Sequence, residues 1–211
     1  MPDDVYHRTR FPPDPRRRTL WRTLVECEFQ KHIPPDAVVL ELGAAYGDFI
    51  NAVKAQHRIA VDSWAGMMAH LAPGVEGLVT NVTQLEGVAD NSIDYVFASN
   101  CLEHLTRPEF FECLAQLRRK MKPGSALTIL QPNYKHCVRD YFDDYTHVSI
   151  YTDQSLCDLL AANDFKIQRC VSRFLPLTIR SGAPVHPLLI RLYLASPFKP
   201  FGKQMLITAI R

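Results

Sequence analysis

No Cys-x-x-Cys pair occurs in this chain of 211 residues. Its six cysteines, Cys27, Cys101, Cys113, Cys137, Cys157 and Cys170, stand far apart. A chain of this length without close pairs is not a disulfide scaffold, and reduced thiols are expected. No apolar run approaches the roughly eighteen residues that a membrane-spanning helix needs, so no transmembrane segment is expected. The start is Pro- and Arg-rich with no apolar leader, which fits a cytoplasmic protein. Charge of one sign is lacking too: 24 Lys and Arg stand against 22 Asp and Glu, a net of +2. The basic excess is local, at Arg8, Arg10, Arg16, Arg17 and Arg18. That balance argues against nucleic acid as a partner. With 47% hydrophobic and 22% charged residues, the chain is neither disordered nor fibrous. One α/β domain spanning 1–211 is expected.

What is present alternates. Residues 1–18 read as a polar arm, and Leu20, Trp21, Leu24, Val25 and Phe29 keep helical spacing before Pro34-Pro35. The apolar run 37–42 suits a buried strand. Gly43 to Gly47 break it, and Phe49, Ile50, Ala52 and Val53 resume helical spacing. Further strands are expected at 58–62, 77–79, 92–98 and 126–130, with a helix at 108–121 before the Pro123-Gly124 turn. This order argues a parallel sheet covered on both faces. Residues 131–151 are then too aromatic, charged and irregular for a plain connection, and read as a substrate loop. A helix follows at 152–163, capped by Thr152 or Asp153, and strands at 165–175 and 203–210 close the domain. Between those strands lies an insertion, 176–202, whose stretch 185–198 is apolar enough to pack on the sheet or to pair two copies in a homodimer.

The segment from Val38 to Phe49 joins a strand, a turn of small residues and a helix start, and Asp62 ends the next strand. Glycines let a backbone approach a ligand, and an acid at that strand end suits ribose hydroxyls. The dinucleotide pattern G-x-G-x-x-G fails, because position 45 is Ala and 48 is Asp, and no phosphate-binding G-x-x-x-x-G-K-[ST] exists. Asp48 in the turn would repel a pyrophosphate but tolerate a cationic adenosyl ligand. Asn100, just past the fourth strand, lies at the edge where such ligands bind.

These residues resemble class I S-adenosylmethionine-dependent methyltransferases, over about Val38 to Phe165. Glu41, Gly43 and Gly47 match that family's first motif, with Ala45 in place of the usual middle glycine, and Asp62 matches its ribose-binding acid. Asn81-Val82 stands where Asp-Ala usually faces the adenine amine. Glu103-His104-Leu105 resembles the E-H-[LV] of small-molecule and ubiquinone-type branches. The segment 117–124 resembles the family's L-x-R-x-L-K-P-G-G turn. The resemblance implies a Rossmann-like, seven-stranded, mostly parallel sheet with helices on both faces and the last strand antiparallel. It also implies S-adenosylmethionine as cofactor, held by Glu41, Gly43, Ala45, Gly47, Asp62, Asn81, Val82 and Asn100.

The loop at 131–151 resembles a stretch found in methyltransferases of glycan and natural-product clusters. His104, His147, Tyr141 and Asp143 are the expected catalytic and acceptor-side residues, with a histidine taking the acceptor's proton. In-line transfer to the hydroxyl of a sugar or another small compound is the leading expectation. N- or C-methylation of a small metabolite is the alternative. A further alternative is a non-catalytic adenosyl-binding partner subunit, for which Ala45, Asn81 and the apolar insertion would speak and against which Asp62, Asn100 and the substrate loop argue. Glu103, His104 and His147 could assemble a metal site, but position 100 is Asn and no close His pair supplements them, so no metal is expected.

Overall fold

The computed structural model describes residues 3–176 and 185–211. Seven strands form one sheet: β1 (Val38–Leu42), β2 (His57–Asp62), β3 (Val75–Val79), β4 (Ile93–Ser99), β5 (Met121–Pro132), β6 (Lys166–Pro176) and β7 (Gly202–Ile210). Their order is β3-β2-β1-β4-β5-β7-β6. The first five run parallel, and β7 lies antiparallel between β5 and β6. The expected fold is the observed one.

The central strands β1 and β4 are buried along nearly their whole length because both faces are covered. The edge strands β3 and β6 are largely exposed or half-buried. In β1, Leu40 and Leu42 join one core cluster and Val39 the other. The first cluster is capped by α3 (Arg107–Lys120), through Phe110, Cys113, Leu114 and Leu117, and by α5 (Asp153–Ala162), through Leu156 and Leu160. Both helices start where side chains can satisfy free amides: Thr106 and Glu109 form a capping box on α3, and Thr152 caps α5. The second cluster is closed by Leu24, Val25 and Phe29, and by Ile190 and Tyr193 of α6 (Pro187–Ala195). A short α4 (Tyr134–Cys137) starts the loop after β5.

Several expectations change. The arm is not featureless: it contains α1 (Asp3–Thr9) and the start of α2 (Pro15–Leu24), which Asp14 caps. The helix expected from Phe49 is instead a run of turns over 45–52, too short to propagate between Gly47 and the next strand. The apolar insertion splits its faces. Ile190, Tyr193 and Leu194 pack on the core, while Leu188, Leu189 and Leu192 stay exposed. Its part at 177–184 lies outside the described residues.

The order of the sheet decides where a ligand sits. From β1 the chain moves outward through β2 and β3, then returns to β4 on the other side of β1. The carboxyl ends of β1 and β4 therefore border a crevice, and the loop after β5 hangs over it.

Candidate active site

Gly43 leaves β1 with φ +65°, and a Cβ there would lie 2.8 Å from the Cβ and Sγ of Cys101. Only glycine lets the two loops close so tightly. Gly47 also has positive φ, +66°, but sits behind the wall against Asn51 and Leu71, so it shapes the turn. Ala45 takes φ 47°, a conformation that costs a residue with a Cβ about 1–2 kcal/mol. Asp62 holds that strained residue. Its Oδ2 accepts the Ala45 N–H at 2.7 Å, and its Oδ1 accepts the Trp64 N–H at 2.8 Å. A carboxylate can accept from more than two donors, a chemistry compatible with the hydroxyls of a ribose. Glu41 is buried and braces the loop from below, its Oε2 accepting the Ile50 N–H at 3.0 Å. Burial raises its pKa well above the ordinary carboxylate value.

Asn81 and Val82 line the same cavity. The Asn81 oxygen is engaged by the amide and hydroxyl of Thr83, and Val82 is packed in the core. Asn100, at φ 47°, accepts from Gln204 Nε2 at 2.7 Å and donates to Ser99 Oγ. A cradle that excludes a Cβ at Gly43, beside the Asp62 carboxylate, fits an adenosyl group.

The arm supplies a wall of the cavity, through rings that were not singled out in the sequence. The His7 ring stacks on Trp64, with centroids 3.7 Å apart. Tyr46 donates its hydroxyl to the Phe11 carbonyl at 2.9 Å. Arg17 lies over the Phe11 ring and 3.7 Å from Asp48. The charge argued from Asp48 is thus met by Arg17 rather than left for the ligand. Burial raises the Asp48 carboxyl while Arg17 and Arg18 oppose the rise. His7 and Phe11 were the legible signal, two rings one helical turn apart in a polar stretch.

The other half of the site comes from the loop after β5. Asp143, Asp144, Thr146 and His147 line the cavity together with His104. His104 Nδ1 lies 3.2 Å from the Thr146 carbonyl and 3.0 Å from its hydroxyl. His147 Nδ1 donates to the Tyr141 carbonyl at 2.6 Å, and the two imidazoles stand 4.9 Å apart. Burial and the neighbouring His104 lower the His147 pKa, favouring the neutral ring. Tyr141, expected at the acceptor, is fully buried behind this wall, and its hydroxyl donates to the Ser149 carbonyl. It supports His147 instead, because an aromatic side chain after β5 gains more from the core than from the rim. Asp144 was not singled out beforehand, yet it accepts from Tyr6, Arg10 and Thr146. Against its burial, the hydrogen bonds from Thr146 and Arg10 hold its carboxyl below the usual range. Glu103 lies behind the histidines, fully buried, and burial pushes its carboxyl up to about 7.

Both halves open into one cavity of about 1320 Å³. A family model described as a methyltransferase domain matches residues 14–169. No curated protein matches the chain by sequence. Among solved structures, a SAM-dependent methyltransferase from Archaeoglobus fulgidus superposes with a TM-score of 0.70 at 20% identity, covering 99% of each chain. One from Aquifex aeolicus gives 0.63 at 16% identity, covering 100% of this chain and 98% of that one. Geranyl diphosphate C-methyltransferase from Streptomyces coelicolor A3(2), in complex with S-adenosyl-L-homocysteine, gives 0.63 at 14%, covering 89% and 77%. Those likenesses carry the fold. The match over 14–169 carries the family: the chain belongs to the methyltransferase-domain family, and S-adenosylmethionine is its cofactor.

Proposed function

We propose that the protein methylates a hydroxyl of a sugar or another small hydroxylated compound. The observation that supports this reading is the continuity of one cavity from Asp62 to a wall of two histidines and two carboxylates. When bound, the cofactor supplies an activated methyl group. Asp62 and the loop around Gly43 hold its adenosyl part, with Asn100 at the edge between β1 and β4. The α1 helix and Trp64 exclude water from one side. Asp143, exposed at the rim, offers a carboxylate to the hydroxyls of an acceptor.

The Thr146 and Tyr141 carbonyls can only accept hydrogen bonds. The Nδ1 atoms of His104 and His147 therefore carry the protons, and Nε2 is the nitrogen free to take one from the acceptor. Such a base contributes typically about 10²- to 10⁴-fold.

The test is transfer of labelled methyl from S-adenosylmethionine to a panel of monosaccharides, nucleotide sugars and phenols, run beside a calorimetric titration of the cofactor. Label on a hydroxyl, lowered by H104A and H147A, supports the reading. Tight cofactor binding with label passing only to amines or carbon acceptors would overturn it.

A further inference from the structure

Glu103 is fully buried, and neither of its carboxylate oxygens has a hydrogen-bond partner beyond its own backbone amide. Native proteins rarely leave a buried carboxylate in that state, because the lost hydration is not returned. What faces it are imidazoles. His147 Nε2 stands 3.9 Å from Glu103 Oε1, and one donor atom each from Glu103, His104 and His147 lie within 4.8 Å of one another. Among the described residues, no other group of three His, Cys, Asp or Glu side chains is so placed.

Each ring is held through its Nδ1. His147 Nδ1 donates to the Tyr141 carbonyl and His104 Nδ1 to the Thr146 carbonyl, so each Nε2 keeps its lone pair. Outer hydrogen bonds of this kind fix the tautomer and orientation of histidine ligands. The backbone is fixed as well: the Glu103 carbonyl accepts the amides of Val148 and Ser149, each at 3.1 Å, which locks the Glu103 turn to the loop carrying His147. With Glu103 ionised, the cluster offers acceptors and no donor. A neutral polar group cannot satisfy all three atoms, and an anion would be repelled. A cation satisfies them together.

We propose that Glu103, His104 and His147 bind one divalent transition-metal ion of the Zn²⁺ or Co²⁺ class. Two nitrogens and one carboxylate oxygen are a donor set such ions accept, and three protein ligands leave a position open. Because His104 and His147 line the acceptor end of the cavity, that position faces the substrate. The inference rests on the proposed methylation of a hydroxyl and, in the metal-bound protein, replaces the imidazole base of that reading. The acceptor's oxygen would occupy the open position and lose its proton to solvent water, with the imidazoles serving as ligands rather than bases.

The experiment is a titration of chelator-treated protein with Zn²⁺ by calorimetry and with Co²⁺ by visible absorption. One ion per chain is expected, with the absorption bands of a nitrogen- and oxygen-ligated Co²⁺ and a raised melting temperature in Zn²⁺. E103Q and H147A should each weaken binding at least about 100-fold. If either fails to fold, H147N and H104N stand in, as smaller polar replacements. Absence of saturable binding in the wild type, or equal binding in these variants, would overturn the site. The cofactor titration separates the two readings: an ion that binds without S-adenosylmethionine binding removes the methyl-transfer reading, whereas the reverse result removes only the metal.

Discussion

Arg10 Nε meets Asp144 Oδ2 at 3.0 Å, across 134 positions of sequence, and the hydroxyl of Tyr6 reaches the same oxygen at 3.1 Å. One carboxylate thus ties the N-terminal helix to the loop that carries His147. The helix closes over the cavity because of this contact and the stack of His7 on Trp64. It is a small element: seven residues cannot hold a helix in water alone, so its order depends on the docking.

D144A should release it. The Asp144 carboxylate is mostly buried and the Arg10 side chain about a quarter exposed, so the pair is worth more than a surface contact, on the order of 1–2 kcal/mol. Amide hydrogen exchange over residues 3–11 should accelerate roughly ten-fold. Unchanged exchange would mean that the aromatic stack alone docks the helix.

Replacing Asp62 should weaken S-adenosylmethionine by roughly 1–3 kcal/mol, read by calorimetry. D62A would remove the proposed grip on a ribose and also the acceptor of two backbone amides, those of Ala45 and Trp64. D62N, with one acceptor oxygen left, should fall between wild type and D62A. Wild-type affinity in D62A would take Asp62 out of the cofactor site.

The glycine loop offers a pair of opposite outcomes. A45G relieves a φ of 47° and should raise the melting temperature by about 2–4 °C, for about 1 kcal/mol. G43A should lower it and abolish cofactor binding, since its Cβ lands on the rigid Cys101 side chain. A neutral G43A would show that the β1 and β4 loops can separate.

The Glu28–Arg169 ion pair sets an acid limit. Burial alone would raise the Glu28 carboxyl, but the Arg169 hydrogen bond and charge outweigh it and hold the pKa below 4.5. A depressed folded pKa gives stability that is fully present above the unfolded value. It drains away as the pH falls through the folded one. Melting temperatures measured from pH 6 downward should therefore drop more steeply below pH 4.5 in the wild type than in E28Q. Parallel curves would mean that the pair contributes nothing.

Much of the fold was legible because local rules and global topology agree. Short apolar runs and Thr152 ahead of its helix each leave a local mark. So do Gly43 and Asp62, whose jobs are backbone jobs at the ends of strands. Pro123-Gly124, expected as a turn, lies instead within β5. The 45–52 segment misled because helical spacing of Phe49, Ile50 and Val53 also serves a tight turn that buries them. Tyr141 misled because an aromatic residue in a functional loop looks the same whether it faces a ligand or the core.

The sequence by itself determined the strands, the burial of the central ones and the acid and glycines at the carboxyl edge of the sheet, since those depend on neighbours within a few residues. Only the tertiary structure decided that Asp144 latches α1 and that Arg17 answers Asp48. It also brought Glu103, His104 and His147 around one point. Those pairings join residues far apart in the chain, and no periodicity encodes a distance across a crevice. They exist because the sheet reverses its order beside β1, bringing the loops after β4 and β5 and the arm to one edge.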